Sequence, residues 1–504
     1  SICSPKSASP SNRQKVLLPQ VYVVTRAGDV MPDGALISGD SVNLTLSGDA
    51  NNRGTIAGRK VVSISADNIH NVSGRISGDA VGLKALNDIN VIGATVQARS
   101  ALIADAGRDL NVRTTTSTNT GGDKDNGFSS TVIDRVAGLY LDRTATDAGV
   151  SNSGLMLLTA GHNVNLAGAV IGNAQANSHT VIQAGNDLNV GTVATGNQQN
   201  IRFDSRNHLN WGETREVGSV IATAGNAQLS AGNDVNARAA QVLASEDLSI
   251  QAARDINIGA GVATRSLDDA YYRSGSSLFG SSSLTLRNTV QASEAITSDI
   301  AGRTVNMHAG NNLTANATTV SAREGGLLSA GNNVTLGTAE NTRKEYHFEH
   351  STSSGLSLSG WISSQSTSTD TLDAVRHTGS VASTVGGNIV VAGNLNGAAA
   401  TQTDKGIVSL AGSTVRSEQG MAVVSGNHVV LEAVRDSEQS TSAVQSRSTA
   451  FSPWQIAATK KGTSDSRQET TTLQGSSVQG GNDAAVIASG AVLGQAANLQ
   501  GGAG

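Results

Sequence analysis

Apolar and polar residues alternate in short runs along most of the chain. Val235–Ala237 and Ile256–Ile258 are two such runs, and a period of two is typical of short β-strands with one buried face. Gly-Asn and Gly-Asp steps separate the runs and tolerate the positive φ that sharp corners require. The pattern therefore predicts many short strands joined by tight corners.

One sequence unit recurs throughout the chain. It consists of a small residue, Gly, two polar residues, an apolar residue, Asn or Thr, and a second apolar residue. Glycines such as Gly39, Gly58 and Gly78 mark a period of about twenty residues. The clearest copies are Ala106–Val112, Ala160–Leu166, Ala184–Val190, Ala231–Ala237, Ala309–Ala315 and Ala330–Leu336.

About twenty residues with two or three short strands correspond to one coil of a right-handed parallel β-helix. We therefore predict an all-β solenoid in which inward Val, Ile, Leu and Ala stack from coil to coil. About two dozen coils spaced by about 4.8 Å would form a rod on the order of 100 Å long. Stacked asparagines would form side-chain amide ladders. A leucine-rich repeat or a coiled coil would need spacings that do not recur here.

The repeat is not uniform along the chain. We expect residues 1–30 to be a linker or junction, 31–262 a regular β-helix, and 263–504 a β-helix with long Ser/Gly-rich interruptions. The longer interruptions are Ala263–Ser283, Ala339–Asp373 and Ala433–Thr472, and shorter ones occur at Thr115–Ser130 and around Trp211. They could be strands or hairpins rising off the rod, or loops that cover one of its faces.

The interruptions contain most of the large aromatic side chains, which a slender coil has little room to bury. Those in the three long interruptions are candidate interaction residues: Tyr271, Tyr272, Phe279, Tyr346, Phe348, Trp361, Phe451 and Trp454.

Composition narrows the possible partners. The net charge of −5 and the absence of Lys/Arg runs argue against nucleic acid. No apolar stretch approaches the ~18–20 residues of a membrane helix. A single cysteine, Cys3, excludes an intramolecular disulfide.

Catalytic and metal-binding patterns are weak. His347 and His350 would lie on opposite faces of a strand, whereas Glu345, His347 and Glu349 would share one. A solvated hairpin face is the better interpretation of these residues. Gly122–Gly127 lacks the distal Glu of a calcium loop and is interpreted as a polar turn. We predict no catalytic, cofactor or metal site, and interpret Asp109, Asp187 and Asp234 as turn formers.

The chain resembles the haemagglutinin-repeat region of two-partner-secreted exoproteins. This class comprises filamentous haemagglutinins and the effectors of contact-dependent growth inhibition. The resemblance extends over nearly the whole chain from about Val16 and matches the second, C-terminal repeat block of those effectors. It is carried by Leu17–Val23, Ser38–Leu44, Gly54–Val61, Asp67–Asn71 and Gly74–Asp79.

The resemblance implies secretion through an outer-membrane transporter, a cell-surface location, and a role in adhesion or in delivery of a C-terminal toxin. Neither a secretion domain at the start nor a toxin at the end is recognisable, so we expect the chain to be a fragment or a truncated reading frame of such an exoprotein. We also expect uncapped end coils to self-associate end to end.

Two alternatives to a non-catalytic stalk remain at this point. A β-helical polysaccharide-active enzyme would need a groove of acidic and aromatic residues on consecutive coils. A purely structural spacer would need no binding surface at all.

Overall fold

Three parallel β-sheets wind around a common axis and form a β-helix, as the repeat predicts. The computed structural model describes residues 35–142, 154–357, 360–397, 399, 401–402, 404–452 and 455–502. Cys3, the expected linker 1–30 and Trp454 lie outside these residues. Each coil contributes one strand to each sheet in a fixed order, and we call the three sheets face 1, face 2 and face 3. Right-handedness stays a prediction.

Most strands belong to a single face. The strands that belong only to face 1 are Ala80–Ala85, Ala101–Ala106, Leu155–Ala160, His179–Ala184, Asn226–Ala231, Leu248–Ala252, Ile389–Ala392, Ala422–Gly426 and Ala484–Ala488. Face 2 alone contains Ala50–Asn52, Ile69–Val72, Ile89–Ile92, Leu110–Arg113, Val164–Ala167, Val235–Arg238, Ile256–Gly259, Leu313–Asn316, Ile407–Ala411, His428–Glu432 and Val492–Gly494.

Face 3 alone contains Arg75–Ser77, Thr95–Ala98, Gly138–Leu141, Val170–Asn173, Val220–Thr223, Gln241–Ala244, Val381–Thr384, Thr414–Ser417, Ser477–Gln479 and Asn498–Gln500. Four strands continue from face 3 into face 1: Leu36–Thr45, Thr55–Ala66, Ser298–Ala309 and Thr318–Ala330.

The described residues form thirteen strands along face 1, so the expectation of about two dozen coils is wrong. The coiled part is about 60 Å long at a spacing of about 4.8 Å. Five insertions within coils, each between the face 2 strand and the face 3 strand, account for much of the difference. The proposed boundary at 262 falls inside the strand Gly261–Ser277, and parallel coils lie on both sides of it. The division into two repeat regions stays a proposal.

Aliphatic side chains stack along the interior of the helix. In one column on face 2, equivalent residues of successive coils lie directly opposite each other. The side chains of this column have almost no solvent exposure from Ile69 to Val429. Small and medium side chains suffice because each column is only one residue wide, which explains how a chain with 3% aromatics forms a core. The column is Ile69, Ile89, Leu110, Val164, Leu188, Val235, Ile256, Leu313, Val334, Val408 and Val429.

An amide ladder runs along the outside of face 2. Each asparagine donates Nδ2–H to Oδ1 of its counterpart in the preceding coil, at 2.9–3.0 Å. Asn90, at one end, contacts His70 Nδ1 at 3.1 Å. At the corners, Asn186 likewise donates to Asn163 Oδ1 at 3.0 Å. The predicted amide ladder is therefore confirmed at corners as well as on the strands, which hold all members of the face 2 ladder. They are Asn90, Asn111, Asn165, Asn189, Asn236 and Asn257.

A second ladder stabilises the corner between faces 1 and 2. Each carboxylate or amide oxygen accepts a hydrogen bond from a backbone N–H of the next coil: Asp109 from Asn163 at 2.9 Å and Asp187 from Asp234 at 3.1 Å. Asp234 accepts from the N–H of Asp255 and from Nε of Arg254 at 2.7 Å. The interpretation of these aspartates as turn formers is confirmed. Coulomb repulsion between stacked carboxylates is relieved by arginines in the same corner.

The corner between faces 2 and 3 has two alternative forms. In most plain coils a single residue with positive φ turns the chain: Ser73, Gly93, Gly168, Ala239, Ala317, Gly412 and Ala496. In five coils a β-hairpin replaces that residue.

In two of the five hairpins, the first strand is the continuation of a face 2 strand. Hairpins 1 and 2 are Thr115–Gly122 with Asn126–Arg135, and the end of Leu188–Arg202 with His208–Gly218. Hairpins 3, 4 and 5 are Gly261–Ser277 with Gly280–Ile296, the end of Val334–Ser357 with Gly360–Gly379, and Val434–Ser452 with Gln455–Gln474. The interruptions are therefore hairpins, including two in the first half of the chain.

From hairpin 1 onward, hairpins arise from every second coil. Hairpin 1 follows the face 2 strand Leu110–Arg113, the next coil turns at Gly168, hairpin 2 follows, and the next coil turns at Ala239. Two coils advance by about 9.6 Å, which is also the width of two paired strands. Neighbouring hairpins consequently pair edge to edge and form one ten-stranded antiparallel sheet, the hairpin sheet.

Buried hydroxyls hold the base of the hairpin sheet. Ser219, Ser298, Ser380 and Ser476 end the hairpins, and each accepts a backbone N–H from a neighbouring coil while its own hydroxyl donates to a carbonyl. All four side chains are at most 1% exposed. Hairpin 1 has the equivalent residue, Thr114, at its start.

Candidate functional site

The hairpin sheet is the surface that contains the candidate residues, and it lengthens along the rod. Facing strands of hairpins 1 and 2 pair over Asn126–Thr131, whereas those of hairpins 4 and 5 pair over Trp361–Val375. Strands of about 20 residues extend on the order of 65 Å. Neither side of the sheet is packed on the core, because nearly all its side chains are partly or fully exposed. Both faces are thus available to partners.

The register of the hairpin sheet brings most of the predicted aromatics to one face. Tyr272, Thr285 and His350 lie opposite one another in successive strands, and Phe348 and Tyr346 alternate with His350 on the same side. Trp361 lies opposite Phe451 where hairpins 4 and 5 pair, and both side chains are on the same face as His350. We call this the aromatic face: Tyr272, Tyr346, Phe348, Trp361 and Phe451. Tyr271 lies on the opposite face, and Phe279 lies in the turn of hairpin 3.

An aromatic groove of about 540 Å³ crosses this face between hairpins 2 and 4. The guanidinium carbon of Arg206 lies 4.4 Å from the centre of the Tyr272 ring. A hydrogen bond with Ser274 and the nearby Arg206 cation lower the pKa of Tyr272. The rings of Phe348 and His350 lie 6.5 Å apart at an angle of 12° and extend one flat platform.

A second groove of about 720 Å³, the amide groove, continues from the first, since Arg287 lines both. Asp268 lies 3.4 Å from Arg287 Nε and 3.4 Å from His208 Nε2. Four amides of the groove have no side-chain hydrogen bond within the described residues, in contrast to the amide ladder of face 2. They are Gln198, Asn200, Asn210 and Gln291.

The opposite face is charged and forms a groove of about 1060 Å³ across all five hairpins. Arg376 pairs with Glu438 at 2.9 Å and thereby joins hairpins 4 and 5. Arg343 pairs with Glu345 on its own strand. This charged face therefore satisfies part of its charge internally.

The distal ends of hairpins 3, 4 and 5 form an apolar crest. The Leu356 amide donates to the Phe279 carbonyl at 2.9 Å, and Trp361 lies opposite both Leu356 and Phe451 in the sheet. The six side chains are 41–90% exposed. They are Leu278, Phe279, Leu356, Trp361, Ile362 and Phe451.

The histidines near the crest do not form a metal cluster. His347 contacts Asn288 and lies on the charged face, whereas His350 contacts Thr367 at 2.8 Å on the aromatic face. This placement confirms that the two histidines lie on opposite faces. No group of three or more His, Cys, Asp or Glu suited to a metal occurs in the part of the chain that the structure describes.

The loop at Gly122–Gly127 is a polar turn, as expected. Asp123 Oδ1 accepts from the N–H groups of Asp125 and Asn126 at 2.9 and 2.8 Å. These bonds lower the pKa of Asp123.

The arrangement expected of a β-helical polysaccharide-active enzyme differs from the one observed. The described coils carry one aromatic side chain, Tyr140, while the other described aromatics lie in the hairpins. The coil aspartates Asp109, Asp187 and Asp234 accept backbone hydrogen bonds at corners.

No described helix is long and apolar enough to cross a membrane.

Comparison with known proteins identifies the repeat. The family model "Hemagglutinin repeat" matches residues 204–287 and 279–370, which extend from the turn of hairpin 2 into hairpin 4. These residues carry the haemagglutinin repeat. The resemblance noted in the sequence is thereby confirmed, and the repeat includes the outward hairpins as well as coils.

Relatives extend the similarity over most of the chain. The tRNA nuclease CdiA of Escherichia coli (strain STEC_O31) is 28% identical over 438 residues, which is 85% of this chain and 12% of the relative. The 16S rRNA endonuclease CdiA of Enterobacter cloacae subsp. cloacae is 27% identical over 459 residues, 76% of this chain and 13% of the relative. The chain thus spans about an eighth of these proteins. No solved structure matches it.

Two features of the site were missed by the sequence reasoning. The joining of separate interruptions into one sheet depends on the number of coils between them, which local patterns do not reveal. The serines at the hairpin bases left a signal, because each follows a small or β-branched residue after a long polar stretch, as in Gly218-Ser219 and Gly379-Ser380.

Proposed function

We propose that the chain is a non-catalytic repeat stalk of a secreted bacterial cell-surface exoprotein. It acts in adhesion, or in delivery of a C-terminal toxin to neighbouring cells by contact-dependent growth inhibition. The haemagglutinin repeat and the CdiA relatives support this role. The nuclease activities in the relatives' names belong to proteins about eight times longer than the matched segment.

The apolar crest is the observation that carries the proposal. Contiguous exposed apolar side chains are unfavourable in water, and such patches mark surfaces that contact a partner or a membrane. The crest lies at the far end of strands that extend on the order of 65 Å from the rod. A rod that carries an apolar edge at this distance can touch a second cell without the coils being part of the contact.

The proposed partners follow from this arrangement. During export the chain would pass through an outer-membrane transporter of the two-partner type. At its destination on the cell exterior, the crest would contact the outer membrane of a target cell. Tyr271, Tyr272, Phe279, Tyr346, Phe348, Trp361, Phe451 and Trp454 stay proposed interaction residues.

Binding of the purified chain to outer-membrane vesicles from Gram-negative cells tests the proposal. In the test variant, crest residues Leu278, Phe279, Trp361 and Phe451 are replaced by Ser. The matched control replaces four exposed apolar residues of the coils and their loops, Leu86, Val385, Leu395 and Ile487. We expect a loss of vesicle binding of at least about a hundredfold for the crest variant. A hundredfold corresponds to about 2.8 kcal/mol, and full burial of a single aromatic or Leu side chain contributes about 1.5–3 kcal/mol.

The outcomes distinguish a stalk that contacts a target membrane from a structural spacer that binds nothing. Equal binding by the crest variant and the control would show that the crest is not the contact. Absence of binding by the unaltered chain would favour a structural spacer. Retained circular dichroism of both variants is the check that the strands are intact.

A further inference from the structure

The hairpin sheet ends in two edges, and the longer edge is formed by the last strand of hairpin 5. This strand, Gln455–Gln474, pairs with Val434–Ser452 on one side and with no strand of the described residues on the other. We call it the edge strand. Its side chains from 457 to 473 are all exposed. An unpaired row of backbone N–H and C=O groups is a template for one more strand.

The other edge of the sheet carries less information about a partner. Thr115–Gly122 in hairpin 1 has eight residues and no charged side chain. The edge strand has 20 residues. Its charged side chains are Lys460, Lys461, Asp465, Arg467 and Glu469. Charged side chains on an edge normally prevent pairing with another strand, unless the approaching strand presents the complementary charges in register.

A like-charge contact lies at the edge strand. Arg447 and Lys461 are directly opposite each other in hairpin 5, on the aromatic face. Neither side chain makes an ion pair within the described residues. Asp465 is on the same face, but four residues of a strand span about 13 Å, so it is too far from Lys461 along the strand. Because like charges opposite each other are unfavourable, this position favours a carboxylate from outside the hairpin.

We propose that the edge strand pairs with the edge strand of a second copy of the chain, in antiparallel orientation. A two-fold axis perpendicular to the sheet passes through Thr463. Lys461 of each copy then lies opposite Asp465 of the other copy, and the contact is self-complementary as two-fold symmetry requires. Two ion pairs form on the aromatic face, each beside Arg447. The two hairpin sheets become one continuous sheet.

Symmetry restricts the register of this pairing, because each face must stay continuous across the two copies. A residue can therefore face only a residue an even number of positions away. An axis at Ser464 would place Lys461 opposite Arg467, and an axis at Asp465 would place that carboxylate opposite itself. Both registers create like-charge pairs, which disfavours them.

An axis at Ser466 avoids like charges but meets two other obstacles. It would use Arg467, which already contacts Glu469 at 3.7 Å. It would also pair the strand as far as Gln474, so the hairpin turn of the second copy would run into the coils. With the axis at Thr463 the pairing covers 455–471 and stops short of the coils.

The proposed contact differs from end-to-end association of the rods. End-to-end association joins coils and leaves both edges of the hairpin sheet open, whereas the proposed contact joins hairpins and leaves the coil ends free. It also does not rest on membrane contact by the crest.

Sedimentation velocity of the full chain over a concentration series tests the proposal. We expect a monomer–dimer equilibrium. Lys461→Asp should weaken the dimer about tenfold or more, because two attractive cross-strand pairs become repulsive. Asp465→Lys should do the same, and the double variant with both changes should restore dimerisation. Lys460→Asp is the matched control, since Lys460 lies on the other face and would be opposite Ser466.

Hydrogen exchange at low and high protein concentration gives a second readout. Amides of the edge strand that point away from hairpin 5 should exchange more slowly in the dimer. Amides of the opposite sheet edge, Thr115–Gly122, should be unaffected. Circular dichroism checks that each variant is folded; Lys461→Asp removes the like-charge contact with Arg447 and should not destabilise the monomer.

Three results would overturn the proposal. One is a monomer at every concentration up to about 0.1 mM. Another is association that neither single charge reversal alters, which would indicate end-to-end contact of the coils. The third is a dimer that the single reversals weaken and the double variant does not restore, which would show that Lys461 and Asp465 are not opposite each other.

Discussion

Asn165 donates its side-chain amide to Asn111 Oδ1 at 2.9 Å, although the two residues are 54 positions apart. Hairpin 1, a face 3 strand and a face 1 strand lie between them in sequence, yet the coil returns in register. The same geometry then continues to Asn189. Long insertions are therefore accommodated at one corner without displacing the ladder.

Replacement of Asn165 by Ala should lower the free energy of unfolding by about 1–3 kcal/mol. The variant removes two amide hydrogen bonds and leaves Asn111 Oδ1 and Asn189 Nδ2 without their partners in the ladder. Urea denaturation followed by circular dichroism measures the effect. Asn257→Ala is the matched control, since Asn257 makes a single bond at the end of the ladder. Equal losses in the two variants would contradict a cooperative ladder.

Ser380→Ala should loosen the base of hairpin 4. The Ser380 hydroxyl accepts from the Thr318 N–H at 3.1 Å and donates toward the Gly337 carbonyl at 2.8 Å. Without it a buried N–H is unpaired, which costs about 1–3 kcal/mol. Hydrogen exchange should accelerate at Thr318 and along the base of hairpin 4. Ser363→Ala, in the same hairpin but with no side-chain hydrogen bond in the described chain, should show no such change.

Arg254→Gln should make the free energy of unfolding less dependent on pH in the acidic range. The Arg254 hydrogen bond and the Asp255 N–H hold the pKa of Asp234 below its usual value, against the opposing effect of burial. A folded pKa below the unfolded value of about 3.9 gives stabilisation that is present above about pH 5 and lost as the pH falls through the folded pKa. The variant should be less stable at pH 7 and lose less stability between pH 5 and pH 2.

Urea midpoints at several pH values measure this difference. Arg113→Gln serves as the control, because Arg113 makes no ion pair within the described residues. Parallel acid profiles for Arg254→Gln and the unaltered chain would contradict the assignment of Asp234 as an acid-sensitive group.

Replacing hairpin 4, residues 338–379, by one glycine should leave the coils intact and split the hairpin sheet. Plain coils make the same corner with one residue of positive φ, such as Gly412. Hairpin 5 would lose its pairing over Ser437–Phe451, so its amides should exchange faster. Amides of the face 2 strands Leu313–Asn316 and Ile407–Ala411 should keep their protection. Unfolding of those coils would show that the hairpins are required for the rod.

The coils could be predicted because their signal is local. Ile256–Ile258 alternates within a few residues, and the corner asparagines and aspartates recur once per coil. The hairpin sheet could not be predicted from the sequence, because Trp361 and Phe451 become neighbours only after the chain completes two coils between their hairpins. The number of coils was overestimated for the same reason, since residues of the hairpins were counted as coil. The aromatic candidates were identified by their exclusion from the core, but their common face required the register.

The alternation of plain and hairpin-bearing coils also constrains how such a protein can change length. A segment that begins at one hairpin and ends before the next adds two coils and two sheet strands, so its duplication leaves both the rod and the sheet continuous. Duplication of a single coil would separate adjacent hairpins by one strand width and expose two new sheet edges. Recombination among genes of this architecture should therefore preserve a two-coil module as its unit of gain and loss.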